Sequence, residues 1–274
     1  AVSSAKWLAV SQAGKQGVQF ATSILLARLL APSDFGLMGM ALVIINFAMM
    51  FRDMGISAAI VQRKEISDQM LASLFWVIML VGLTAMALLW IIAPLAADFY
   101  FEPRMVNILR VLSINFLLSG LSALHQSLLE RDLDFDRLAR LEVSASVFGA
   151  LVAIGAALFQ AGVWSLVYQS VAMMLLTSIS LWVMSKWRPQ MRFDWGEVKS
   201  ISNFSLNLVG FNVLNYVARN LDYLLIGKFL GSTALGYYTF AYRIMLYPLQ
   251  NVSSIAGRVM FPVYSKIQHE NSVL

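Results

Sequence analysis

Four charged side chains lie deep inside stretches that are otherwise apolar: Lys15, Arg219, Asp222 and Arg243. A charge near the middle of a bilayer costs several kcal/mol on insertion scales, so residues of this kind face a bundle interior or a wet cavity. Amides gather around them. Gln12, Gln16 and Gln19 surround Lys15 at helical spacings, and Asn207, Asn212, Asn215 and Asn220 lead up to and flank Arg219. The chemistry these groups share is anion and hydroxyl recognition. Arg presents a planar fork of donors suited to phosphate oxygens, while amides donate to and accept from sugar hydroxyls. Asp222 lies three residues after Arg219 on the same helical face, so it either neutralises Arg219 or carries a coupling proton or cation. Catalysis has little to stand on: the chain has two histidines and no cysteine, and neither a zinc-spaced cluster nor a P-loop, and no cofactor is expected.

Long membrane helices are needed to hold such residues. With 59% hydrophobic and 13% charged residues, the 274-residue chain has too few charges to coat a soluble globule. The mean hydropathy of +0.71 agrees. The expected class is an all-α polytopic membrane protein, in which a net charge of +5 belongs to loops and does not mark a nucleic-acid binder. Windows of about 20 apolar residues, enough to cross a core roughly 30 Å thick, predict eight spans. They run Trp7–Leu29, Phe35–Met54, Leu71–Ala93, Val106–Leu128, Leu138–Phe159, Val163–Met184, Ile201–Ile226 and Leu235–Ile255. Pro32 and Gly162 punctuate turns so short that the spans on either side must form antiparallel hairpins. Pro103 suits the first turn of the fourth span, and Asp194 with Glu197 resembles a capping box ahead of the seventh.

The chain repeats itself. Shifted by 200 positions, residues 25–45 fall without a gap on 225–245, with Leu25/Leu225, Leu30/Leu230, Gly36/Gly236, Ala41/Ala241 and Ile44/Ile244 identical. Six spans separate the copies. An even number makes both enter the membrane from the same face, as in a parallel repeat of two six-helix bundles. The expected organisation is a six-helix lobe over 1–190, an interfacial linker over 191–200, and the first two helices of a second lobe over 201–274, the remainder of that lobe being absent. Lys15 then corresponds to Asn215 and Gln19 to Arg219.

Thirteen Lys and Arg residues fall on the side of the N-terminus and four on the other, which predicts a cytoplasmic N-terminus. Trp187, Phe193 and Trp195 read as interfacial anchors. His125 reads as a solvated interface histidine, with a proton relay as the sharper alternative. Residues 130–142, ERDLDFDRLARLE, read as a soluble linker or a docking surface. GKFLG over 227–231 fits the small-residue dimer motif but straddles a turn, so a helix-pairing face there is not expected.

Several segments carry a family resemblance: ARLLAPSDFGLMGMALVI (27–44), FRDMGISAAIVQRKEIS (51–67), LERDLDF (129–135) and RNLDYLLIGKFLGSTALGYYTFAYRI (219–244). Together they resemble the polysaccharide-exporter branch of the multidrug, oligosaccharidyl-lipid and polysaccharide superfamily, and within it the Wzx-type flippases. The resemblance implies two six-helix lobes around a central cavity. It also implies movement of an undecaprenyl-pyrophosphate-linked oligosaccharide across the bacterial inner membrane. Arg219, Arg243 and Lys15 are then the expected cavity cations, Gln12, Gln16, Gln19, Asn212, Asn215 and Asn220 its polar lining, and Asp222 a coupling group or charge partner. Lipid-linked oligosaccharide and membrane lipids are the implied partners, together with polysaccharide polymerase and assembly proteins. A cation-coupled drug exporter of the same superfamily and a non-transporting scaffold of a polysaccharide-assembly complex are the alternatives. The first would want an acid-dominated cavity, and spans one and two offer no deep carboxylate.

Overall fold

The computed structural model describes residues 2–51, 60, 66–132, 134–191, 193–196 and 206–267; side chains are described for these except 2–13, 206–212, 243, 244 and 246–267. The described residues form seven helices: α1 Val2–Leu29, α2 Pro32–Met49, α3 Asp68–Tyr100, α4 Met105–Arg131, α5 Phe135–Leu158, α6 Trp164–Met184 and α7 Leu206–Ile267. α7 breaks at Gly231, whose φ of 81° and ψ of −179° turn one helix into two legs. Only glycine adopts that backbone without strain, and the break falls between the seventh and eighth expected spans. Five helices, α2 to α6, are long and apolar enough to cross a membrane. Their outer faces expose large apolar side chains such as Leu80, Ile91, Leu95 and Leu151, as lipid contact requires. The chain is thus an all-α polytopic membrane fold.

Helix starts follow local chemistry. Pro32 occupies the first turn of α2, where no amide hydrogen is needed, and Asp34 accepts the Ala31 N–H at 3.1 Å. Ser67 caps α3 by accepting the Met70 N–H at 3.1 Å. α3 continues through Pro94 to Tyr100, beyond the expected end at Ala93, and is closed by Phe101 in the left-handed conformation. The run 130–142 is more helical than a linker would be: Arg131 ends α4 and α5 begins at Phe135. Its charges pair locally, Arg137 with Asp134 at 3.2 Å and Arg140 with Asp136 at 2.7 Å.

α1 packs on α5, α5 on α6, α6 on α4 and α4 on α3, while α2 lies between α4 and α7. The turns after α1, α3 and α5 and the Gly231 break share one end of the molecule, here the closed end. α7 is fastened there. A Cβ on Gly36 would collide with the Ser232 carbonyl, and one on Gly236 with the Pro32 carbonyl. These contacts exchange under the 200-residue shift, so the two repeat copies meet backbone to backbone about a local two-fold axis. A Cβ on Gly39 would come 3.1 Å from the Thr239 hydroxyl, and Phe35 meets Phe240 edge-on at 6.0 Å. Around the crossing, Ser232 donates to Glu102 at 2.9 Å, and Lys228 donates to the Phe99 carbonyl at 2.5 Å while lying 3.8 Å from the Phe101 ring centroid.

At the opposite, basic end the segment after α6 runs extended along the start of α3. Ser73 Oγ donates to the Gln69 carbonyl at 2.8 Å and accepts the Asp194 N–H at 2.8 Å, and the Trp76 indole donates to the Gln190 carbonyl at 3.0 Å. Phe193 and Trp195 stay exposed, and Glu197 lies outside the described residues. His125 corrects the expectation of a solvated histidine. It is fully buried, boxed by Trp182 at 4.8 Å, Trp187 at 5.7 Å and Phe75 at 6.5 Å between ring centroids, and neither ring nitrogen has a partner. Aromatic packing of α3, α6 and the post-α6 segment excludes water from it.

Two stability tests follow. Gly36→Leu and Gly236→Leu should each destabilise the purified protein by about 1–3 kcal/mol or more, because a carbonyl cannot step aside as a side chain can. Gly17→Leu, at a position with nothing within 4 Å of its Cβ, should leave the thermal transition in place. Equal transitions for all three would refute the backbone crossing. His125→Phe should match or exceed the wild-type transition, since it removes two unpaired polar atoms from an aromatic box, whereas His125→Ala should fall by about 2–4 kcal/mol. A Phe variant as damaged as the Ala variant would show that the imidazole is hydrogen-bonded.

Candidate functional site

Helices pinned together at one point diverge away from it, and here the space between them is polar. A cavity of about 770 Å³ lies where α1, α2 and α6 face α7. Gln16, Gln19, Thr22 and Ser23 line it from α1, Asn46 from α2, and Gln169 and Ser170 from α6. Across from them stand Arg219, Asn220 and Tyr223 on the first leg of α7, with Thr239 and Tyr242 on the second. On α1 the lining runs from Leu26 to Gln16, about 5 to 20 Å from the closed end at 1.5 Å per residue. In a hydrocarbon core roughly 30 Å thick that depth is central. Arg219 itself lies nine residues before Lys228, about 13 Å along the helix.

Several polar groups of the wall are held from behind. Thr22 donates to the Val18 carbonyl at 2.7 Å, and Ser170 Oγ accepts from Asn115 Nδ2 at 2.9 Å. Asn220 spends its amide on the Tyr216 carbonyl at 2.8 Å, and the Tyr216 hydroxyl donates to the Val43 carbonyl at 2.7 Å. The last bond ties the first leg of α7 to α2 below the glycine crossing.

Asp222 does not pair with Arg219. Its Oδ2 accepts from the Tyr238 hydroxyl on the second leg, and its Oδ1 is buried without a partner. The ion pairs among the described residues do not include Arg219, and no carboxylate is on the described wall. The guanidinium is therefore the charge that the described wall presents. Tyr238 stacks on Tyr242 at 5.5 Å and 20°, and Tyr223 stands edge-on to both, 5.4 Å from Tyr238 and 6.1 Å from Tyr242.

Of the residues singled out from sequence, Gln16, Gln19, Arg219 and Asn220 come together on the cavity wall. Lys15 is not on it; its ammonium pairs with Glu142 of α5 at 3.7 Å, both groups being partly exposed. Asn215 is exposed away from the cavity, and Asp222 stands behind the wall. The side chains of Gln12, Asn207, Asn212 and Arg243 lie outside the described residues. Sequence reasoning missed Tyr223, Tyr242, Asn46, Gln169 and Ser170. A signal existed: Tyr223 follows Arg219 by four residues and Tyr242 follows Tyr238 by four, one helical face in each case.

Comparison with known proteins identifies the family. The family described as "Polysaccharide biosynthesis protein" matches residues 25–274. The teichuronic acid biosynthesis protein TuaB of Bacillus subtilis (strain 168) is 32% identical over all of the chain and 57% of its own length. The lipopolysaccharide biosynthesis protein WzxC of Escherichia coli (strain K12) is 28% identical over all of the chain and 56% of its own length. The succinoglycan biosynthesis transport protein ExoT of Rhizobium meliloti (strain 1021) is 28% identical over 96% of the chain and 53% of its own length. The chain thus spans little more than half the length of these curated relatives. No solved structure matches it. A polytopic helical membrane chain matched over nearly its whole length in this way belongs to the polysaccharide biosynthesis protein family, resembling its Wzx-type exporters.

Proposed function

We propose that this chain forms part of a flippase that moves a lipid-linked oligosaccharide, a polysaccharide repeat unit on undecaprenyl pyrophosphate, across the bacterial inner membrane. The observation that carries the reading is Arg219: a guanidinium in a central, polar, 770 Å³ cavity, with no ion pair among the described residues and its nearest acid in sequence bonded elsewhere. An unpaired cation at that depth is costly unless water or an anion meets it. A pyrophosphate offers the oxygens that a guanidinium fork binds best. The names of relatives, which concern teichuronic acid biosynthesis, lipopolysaccharide biosynthesis and succinoglycan biosynthesis transport, point to the same class of cargo.

In this reading the headgroup takes the cavity while the polyprenyl tail stays in lipid, and α1–α6 and α7 belong to two lobes that rock about the glycine crossing. Residues 1–190 form the first lobe, 191–200 a surface linker, and 201–274 open the second. The basic end faces the cytoplasm, in line with the thirteen-to-four excess of Lys and Arg. The crossing then closes the periplasmic side, and polymerase and assembly proteins receive the product there. The protein works as a transporter and not as an enzyme. A cation exporter would want acids, and the described wall has none.

Neutralising Arg219 tests the proposal. In the protein as its gene encodes it, Arg219→Gln should lower surface polysaccharide at least about tenfold with membrane levels unchanged, and Arg219→Lys should retain part of it, since Lys keeps the charge but loses the fork. Cell-surface carbohydrate measured against protein in the membrane fraction gives the readout. Normal export by Arg219→Gln would refute the cationic cavity.

A further inference from the structure

The two repeat copies agree at the crossing and part company in the cavity. Across the 200-residue shift Tyr223 stands for Ser23, Tyr238 for Met38, Tyr242 for Leu42 and Asp222 for Thr22. The first copy builds its two helices without a tyrosine at any of these places, so the fold does not demand them. Their arrangement has the features of a platform. Tyr242 lines the cavity and is backed by Tyr238 in a stack of 5.5 Å, Tyr223 braces both edge-on, and the Tyr238 hydroxyl is anchored on the Asp222 carboxylate. An aromatic surface fixed in this way loses little freedom on meeting a ligand. Opposite it stand neutral donors and acceptors, Gln16 and Gln19 of α1 and Gln169 of α6.

A sugar ring is the ligand with matching faces. Its axial C–H groups form an apolar face that lies on an aromatic ring, and its equatorial hydroxyls radiate outward to amides. Tyr223 lies one helical turn beyond Arg219 toward the closed end, about 6 Å along the axis. A group directly attached to an anion held by Arg219 would reach it.

We propose that Tyr223 and Tyr242, positioned by Tyr238 and Asp222, form a carbohydrate subsite that takes the first sugars attached to the pyrophosphate, with Gln19 and Gln169 meeting their hydroxyls. This deepens the function proposed above and rests on it: Arg219 holds the charge, and the tyrosines read what the charge carries. The wall favours neutral or hydroxyl-rich sugars next to the pyrophosphate, because the described lining supplies no acid for an amino sugar.

Two probes separate the roles. Neryl pyrophosphate carries the anion alone, and neryl pyrophosphate bearing one glucose adds the sugar; binding of each to the purified full-length protein is measured by titration calorimetry. Tyr242→Leu and Tyr223→Ser install the residues that the first copy carries at the equivalent places. Each should weaken the glucosylated probe about tenfold and leave the bare probe unchanged, while Tyr242→Phe, which keeps the ring, should bind both like wild type. Loss of both probes together, or of neither, in folded Tyr242→Leu and Tyr223→Ser overturns the subsite. Should either variant fail to elute as a monodisperse peak, Tyr242→Phe against Tyr242→Met decides in the same way. Arg219→Gln should weaken both probes alike. If it leaves the bare probe unaffected, the cationic-cavity reading fails, and that outcome is independent of the difference between probes that reports on the tyrosines.

Discussion

Two backbone carbonyls packed against two glycines set the geometry of this molecule. At Gly36 and Gly236 no side chain intervenes between α2 and the second leg of α7, so the helices approach as closely as polypeptide allows. In lipid there is no hydrophobic gain from bringing helices together, and close van der Waals contact through small residues is what holds them. The other contacts at that end depend on the approach. Lys228 reaches the Phe99 carbonyl and Ser232 reaches Glu102 because the Gly231 turn is held against the end of α3. Gly227 helps in the same place, since a Cβ there would come 2.7 Å from the Tyr100 ring. Away from the crossing the helices separate, and the polar side chains of α1, α6 and α7 occupy the space that opens.

The span pattern was legible because the bilayer enforces it. A helix that must satisfy its own backbone in hydrocarbon needs an unbroken apolar run, and residues 32–49, 68–100, 105–131, 135–158 and 164–184 each carry one. The turns were legible from Pro32, Gly162 and Gly231. The repeat was legible because the identity Gly36/Gly236 is the contact itself. The spacing Ser232 to Gly236 is the small-residue pair that matters, yet attention to GKFLG over 227–231 passed over it; only the fold shows which small residues face a partner.

Long-range pairing was not legible. Helical spacing relates Asp222 to Arg219, but the true partner, Tyr238, lies beyond the Gly231 break on the other leg of the hairpin. Lys15 meets Glu142 from a helix four elements later, and no local pattern joins them. His125 reads as solvated in the sequence because it is a lone histidine near the end of its span and is followed by the polar Gln126. The residues that bury it come from α3, α6 and the segment after α6. In each case the periodicity of one helix was sound and the identity of the facing helix was missing.

The uneven chemistry of the repeat has its own physical logic. A local two-fold axis places position 19 across from 219, so an Arg in both copies would set two like charges against each other over one cavity; at an effective dielectric of about 20 such a pair costs several kcal/mol at close range. Gln19 opposite Arg219 avoids that repulsion while keeping a donor and an acceptor on the wall. Directionality adds a second reason. A headgroup with a charged end, a sugar end and a lipid tail has no two-fold symmetry, and a symmetric wall would offer it two equivalent poses, only one of which leaves the tail where it can remain in lipid. Confining the cation and the tyrosines to the α7 side removes the second pose. Symmetry is thus retained at the crossing, where two backbones must fit each other, and abandoned along the wall, where the proposed cargo does not repeat itself.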